Sequence, residues 1–217
     1  MAQAVLIARG EKGVRDPRYA AMGCLYEAGI DWSDTNLVDQ LSTQERIVGE
    51  KMLKQGINTS PCSSAGRLFD AVSALCGLQM RNGFEGQAAM ALEFAASEKP
   101  AHSAYPITYP KGEAIDWGPI IRHVIDDLNE GREAEEYAPS RFHMTLAQLI
   151  ADVADSSDCK IVALTGGCFQ NVLLLEQSIE CLKSIGKEPI WHKLVPPNDG
   201  GLSFGQAVIA SKGDPIQ

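Results

Sequence analysis

KIVALTGGCFQN (Lys160–Asn171) is the stretch that decides the fold. Its short apolar run, Ile161–Leu164, stops at Thr165-Gly166-Gly167, and an amphipathic run begins soon after. That order predicts a buried strand, a glycine turn and then a helix. Two adjacent glycines let a ligand approach bare backbone with no Cβ in the way. The helix that follows is expected to present unpaired N–H groups and a positive dipole end, which suits a phosphate.

Downstream, the pattern predicts a helix over Val172–Ile185 ended by Gly186, a second strand over Pro189–Val195, and a final helix over Leu202–Ser211. This β-α-β-α order predicts two parallel strands with a right-handed crossover. Ligands of such sheets sit at the carboxyl ends of the strands. Both glycine pairs lie there, Gly166-Gly167 after one strand and Gly200-Gly201 after the other.

Upstream, the chain reads as helical. Helices are predicted over Arg18–Ala28, Asp39–Gln55, Gly66–Cys76, Phe84–Ser97, Pro119–Asn129 and Ser140–Asp155. Glycines close four of them. Leu68, Val72 and Leu75 share one helical face, and Phe142, Leu146, Leu149, Ile150 and Val153 form another stripe. Asn58–Ser64 reads as a polar, proline-containing loop, and Lys99–Gly118, with three prolines, as irregular chain. The whole is expected to be a single domain over 1–217, with a helical part over about 14–155 and the β-α-β-α part over about 160–212.

Composition narrows the function. The chain has 217 residues, 45% hydrophobic and 22% charged, the mix of an ordinary globular protein. A net charge of −9 leaves no basic stripe for nucleic acid. No apolar run is long enough to span a bilayer. The N-terminus lacks the basic start, apolar core and cleavage site of a signal peptide. Six scattered cysteines without a CxxC argue against a zinc ribbon or disulfide scaffold and for a cytoplasmic protein. GxGxxG, the Walker lysine loop and the GxSxG elbow are all missing, which disfavours three common enzyme folds. The four histidines show no metal spacing, and none is assigned a role.

Several residues have two readings. Asp199 binds a divalent metal or orders phosphates, or else it caps the last helix. Asn171 donates to a phosphate or ribose hydroxyl, or caps the helix after the glycine turn. Asp70 sits mid-helix on a solvated face or turned into a cleft. Gly66 follows Ser63-Ser64 at a small-residue helix start that suits an anion, and Gly86 opens the alanine-rich helix beside Glu85.

Five blocks occur in the order found in the HypF carbamoyltransferases of hydrogenase maturation, and the chain resembles that family over about residues 13–212. They are Ser63–Leu78 (SSAGRLFDAVSALCGL), Phe84–Glu93 (FEGQAAMALE), Arg141–Ala147 (RFHMTLA), Leu164–Leu175 (LTGGCFQNVLLL) and Val195–Ala207 (VPPNDGGLSFGQA). Val14–Tyr26 resembles the family's preceding segment. The resemblance implies an α/β fold: the C-terminal half of an ASKHA (actin and sugar-kinase-like) domain, helix-rich with a small mixed or parallel sheet. It implies that Gly166, Gly167 and Asn171 line a nucleotide, ATP or carbamoyl-adenylate, with Gly66, Asp70 and Gly86 on the opposite wall and Asp199 on a metal. Such enzymes use carbamoyl phosphate and ATP, and pass the carbamoyl group to the C-terminal cysteine of a HypE acceptor.

The family's acylphosphatase module, zinc fingers, adenylate-forming module and first half-domain, which carries a metal-binding histidine pair, lie outside this sequence. Asp199 is therefore expected to be a lone ligand, and the isolated chain to bind nucleotide weakly and to leave the reaction incomplete. Rival readings are a non-catalytic relative that self-associates through the face its missing half would cover, and a sugar-kinase-like phosphotransferase fragment.

Overall fold

A computed structural model describes residues 4–8, 10–109, 111 and 113–211. The elements run β1 (Val5–Ala8), α1 (Glu11–Arg15), α2 (Pro17–Ala28), α3 (Thr43–Gln55), β2 (Thr59–Cys62), α4 (Ala65–Leu75), α5 (Gln87–Glu98), α6 (Gly118–Glu130), α7 (Arg132–Asp155), β3 (Ile161–Leu164), α8 (Val172–Ser184), β4 (Glu188–Trp191) and α9 (Leu202–Ser211). Among the described residues no helix is long and apolar enough to cross a membrane.

Helix α2 is the axis of the helical part. Most of its length is buried, against α4, β1, α6 and α3. Small residues allow this: Ala20, Ala21 and Ala28 are buried, and a Cβ on Gly23 would fall 1.9 Å from the Leu6 carbonyl oxygen. The one charge taken inside, Arg18, is fully engaged. Its guanidinium pairs with Asp16 at 2.6 Å and Glu45 at 3.1 Å and donates to the Gln40 carbonyl at 2.5 Å. A paired, hydrogen-bonded guanidinium is the tolerable form of buried charge.

Helices α4, α5 and α7 stack beside α2. The expected α4 stripe is inside: Leu68, Val72 and Leu75 are buried with Phe69. Phe142 of α7 meets Phe69 edge-on, ring centroids 5.1 Å apart. The irregular segment before α6 is pinned at Tyr105. Its hydroxyl donates to Asp127 at 2.7 Å and its N–H to Thr145 at 2.8 Å, while Arg141 lies over its ring and pairs with Asp127.

The β-α-β-α order is as read. Strands β3 and β4 pair in parallel, Ile161 with Glu188 through Leu164 with Trp191. Val162, Leu164 and Trp191 pack with Ala151, Ala154 and Leu182 into a second, smaller core. Ile150 and Phe169 touch both cores and join them.

Some boundaries differ from the sequence reading. Asn58–Ser64 is not a loop: Thr59–Cys62 forms strand β2, antiparallel to β1. A lone two-stranded ribbon with a proline carries little strand signal, and it is anchored by β1 packing on α2. Helix α3 starts at Thr43, not Asp39, because Ser42 and Glu45 close a reciprocal capping box. That box also holds the Glu45 carboxyl down at about 2. Helix α5 begins at Gln87, not Phe84, after Gly86 at φ +81°. Helix α7 begins at Arg132 and carries Pro139 inside it. A proline favours a break, but the acidic, alanine-containing turns before it are good helix formers. On the α7 stripe Phe142, Leu146 and Leu149 are buried, whereas Val153 is exposed. Strand β4 stops at Trp191 because its partner β3 is equally short.

Candidate functional site

The carboxyl ends of β3 and β4 meet two helix starts. Gly166 follows β3 at φ 103°, ψ 160°, a backbone state open essentially to glycine alone. Its N–H donates to the Pro197 carbonyl at 2.9 Å, so the two glycine loops are directly joined. Above them, Thr165 Oγ1 and His192 Nε2 lie 2.9 Å apart. Gly201 is a glycine for a different reason: a Cβ there would fall 2.8 Å from the Pro196 carbonyl oxygen.

Gly167–Gln170 form a single 3₁₀ turn. Phe169 N–H returns to the Gly166 carbonyl and Asn171 N–H to that of Cys168. Among the described residues, the N–H groups of Gly167 and Cys168 have no protein acceptor, as expected of the first two donors of such a turn. Helix α4 arrives opposite: the Gly66 backbone N–H points at the Cys168 sulfur. Burial still raises the Cys168 thiol above its ordinary range. The start of α4 and the glycine turn therefore meet at the Cys168 side chain.

The other predicted residues lie at varying distance from it. Asp70, one turn further along α4, is buried. Arg67 pairs with it at 2.7 Å and also reaches the Gly13 carbonyl. Burial outweighs the Arg67 charge and the Asn82 hydrogen bond, lifting the Asp70 carboxyl to about 6. Its Oδ2 touches Arg67 without hydrogen-bond geometry. Gly86 starts α5, about 10 Å along that helix from Glu93 at 1.5 Å rise per residue. Asp199 is exposed and opens the short turn Asp199–Gly201, which Asn198 caps by accepting the Gly200 N–H at 3.1 Å. No cluster of three or more His, Cys, Asp or Glu side chains fit for a metal occurs among the described residues. A single carboxylate does not hold a divalent ion tightly, so any metal at Asp199 needs ligands from another chain or segment.

Asn171 is committed within the fold. Its Oδ1 accepts the Leu174 N–H at 2.8 Å, the capping reading, and its Nδ2 lies 2.9 Å from His143 Nε2. His143 Nδ1 is 2.8 Å from the Pro139 carbonyl. A carbonyl only accepts, so Nδ1 carries the proton and Nε2 accepts from the amide. Burial holds His143 down to about 4, so the imidazole is neutral.

The expectation of unpaired N–H groups at the start of α8 is corrected. Glu93, on α5, accepts from Val172 N–H at 2.7 Å and Leu173 N–H at 3.2 Å. With Asn171 on Leu174, the first three donors of α8 are occupied. Sequence reasoning missed Glu93 and His143, which lie 79 and 28 residues from the groups they meet. Glu93 closes one of the quoted blocks, FEGQAAMALE, but nothing local to it signals a cap for a helix so far along the chain.

A helix-rich half-domain, its short parallel sheet ending in glycine turns beside helix starts, is the C-terminal half of an ASKHA-type domain. A family model described as "Carbamoyltransferase, Kae1-like Domain, second subdomain" matches residues 2–206, and the chain belongs to this HypF carbamoyltransferase family. It is 41% identical to carbamoyltransferase HypF of Synechocystis over 147 residues, 66% of this chain and 19% of that protein. Against HypF of Rhodobacter capsulatus it is 35% identical over 208 residues, 93% and 26% of the two chains. Full-length HypF, crystallised in its phosphate- and nucleotide-bound form, superposes with a TM-score of 0.84 at 34% identity, covering 97% of this chain and 28% of that one. The chain thus spans about a fifth to a quarter of the length of these curated relatives.

Proposed function

We propose that this chain is the nucleotide-binding part of a HypF-type carbamoyltransferase domain. The observation that carries this is the glycine turn after β3, where the Gly167 and Cys168 N–H groups have no acceptor among the described residues and the Cys168 sulfur lies by the Gly66 backbone at the start of α4. A relative crystallised with nucleotide and phosphate supports the same reading. The ligand is ATP or carbamoyl-adenylate, its phosphate on these N–H groups and the α4 dipole end. Gly86 and Asp70 belong to the α4–α5 wall, Asp70 acting through Arg67, which also reaches α1. Asn171 holds the turn rather than the ligand.

In the full reaction the C-terminal cysteine of a HypE-like acceptor, its thiol proton lost to solvent, attacks the carbamoyl carbon as the thiolate. The carbon–oxygen bond to the adenylate phosphate breaks and AMP leaves. The turn N–H groups offset the charge that returns to the leaving phosphate. A metal at Asp199 would supply further charge, with its remaining ligands from the domain's other half. The acceptor, carbamoyl phosphate and the place of this chemistry in hydrogenase maturation in the cytoplasm are part of this proposal.

Titration calorimetry of ADP and ATP into the concentrated chain tests it. Micromolar-to-millimolar binding that weakens at least tenfold in Gly167→Asp is expected. A Cβ at this position meets nothing closer than Asn198 at 3.9 Å, and the added carboxylate opposes a phosphate by charge. Absence of heat, or unchanged binding in the variant, sinks the reading.

A second reading rests on the surface. Helix α9 buries none of its residues, and Leu202, Phe204 and Ile209 are 61%, 59% and 53% exposed. Ile161 and Ile190 lie exposed on the outer face of β3–β4. Such exposed apolar surface fits a binding or scaffold role, through self-association or docking of the domain's other half. A clean monomer with no dye-accessible apolar surface would remove this second reading.

A further inference from the structure

A helix start that a phosphate would favour is filled here by the protein's own carboxylate. Glu93 Oε1 takes the Val172 and Leu173 N–H groups, and Asn171 Oδ1 takes that of Leu174. Asn171 is set in turn by His143, and His143 by the Pro139 carbonyl, through bonds of 2.9 and 2.8 Å. Helices α5 and α7 therefore both grip the first turn of α8. That turn is continuous with the Gly166–Gln170 backbone, so whatever fixes α8 fixes the glycine turn.

We propose that Glu93 is the resident anion of the α8 start: it excludes external anions there and, with the Asn171–His143 pair, holds the Gly166–Cys168 backbone in register. The second half of this rests on the nucleotide reading above. Phosphates of a bound nucleotide are thereby directed to the Gly167 and Cys168 N–H groups, which have no internal acceptor. Glu93 is a positioning residue, not a catalytic one. The carboxylate adds charge to the two hydrogen bonds at the positive end of the dipole, which a neutral acceptor does not.

Chemical rescue tests the first half without any nucleotide. Thermal unfolding of wild type, Glu93→Ala and Glu93→Gln is followed in sodium formate, inorganic phosphate and sodium chloride at matched ionic strength. Loss of the cap should lower the Tm of Glu93→Ala by roughly 3–6 °C. Formate and phosphate should restore part of that loss in Glu93→Ala beyond chloride, and raise its Tm clearly more than that of wild type or Glu93→Gln, whose side chains still fill the site. Equal anion responses in all three proteins overturn the proposal.

Amide hydrogen exchange of the wild-type chain answers the same question should Glu93→Ala not fold. Val172 and Leu173 must be protected, and free exchange at both overturns the proposal. For the second half, ADP affinity should fall about tenfold in Glu93→Ala and recover with formate, with adenosine affinity unchanged. Intact anion rescue with unaltered ADP binding overturns the positioning role. Wild-type chain that takes no ADP at all refutes the nucleotide reading and leaves the rescue result to judge Glu93.

Discussion

Helices α2 and α9 are both short, apolar and alanine-containing, yet they meet opposite fates. Helix α2 is buried along nearly its whole length, and α9 buries none of its residues. The β3–β4 sheet repeats the contrast within itself, with Val162 and Leu164 facing α7 and α8 while Ile161 and Ile190 face outward. Hydrophobic composition sets how much surface a segment would gain by burying, and a partner must be present for the gain to be realised. Helix α2 has its partners within the chain. The strand part has one layer of them, which is what half of a domain looks like.

The contrast can be broken most forcefully at its buried pole. Phe142→Ala, deep against Phe69, should cost about 3–5 kcal/mol and lower the Tm by roughly 10 °C. Phe204→Ala on α9 should lie within about 0.5 kcal/mol of wild type. Comparable losses in calorimetric unfolding would show α9 to be packed and end the comparison.

The link between the two parts titrates. His143 has its folded pKa lowered from 6.5 to about 4, so its contribution is present above 6.5 and lost as pH falls toward 4. Asp70 has its folded pKa raised from 3.8 to about 6, so its contribution is present below 3.8 and lost as pH rises through 6. Each is on the order of 3 kcal/mol at full titration, and over pH 4–6 they oppose. Asp70→Asn should therefore lose stability more steeply than wild type as pH falls from 6 to 4. Denaturant midpoints that run parallel for the two proteins would refute this.

A smaller effect separates two glycines. Gly23→Ala pushes a Cβ into the Leu6 carbonyl and should cost about 1–3 kcal/mol, with loss of amide protection in β1. Gly167→Ala, with 3.9 Å to its nearest atom, should cost far less. Equal destabilisation would mean that the β1–α2 contact is not tight. The smallest change in stability should come from Leu202→Ser with Phe204→Ser. Unfolding should hardly move, while dye binding and any self-association measured by sedimentation should drop.

Much of the site was legible from local rules. Gly166 had to be a turn residue because an apolar run ended there, and it adopts a backbone state that glycine alone takes readily. Gly29 and Gly56 close α2 and α3 in the left-handed conformation as read. Asn171 was open between ligand and cap, and the cap is what its Oδ1 makes. The β1–β2 ribbon was not legible, since four-residue strands with a proline give no periodicity to count. Glu93 was illegible for another reason: a carboxylate on one helix that caps a second makes no pattern within any short window.

The sequence by itself determined the local conformations: which segments coil, where glycine must turn them, and the order of blocks that marks the HypF family. These follow from periodicity, capping and backbone sterics, which act over a few residues. Only the tertiary structure decided which donors at the glycine turn stay open and which are already taken. That choice depends on groups such as Glu93 and Val172, brought together by packing of the core across 79 residues of chain.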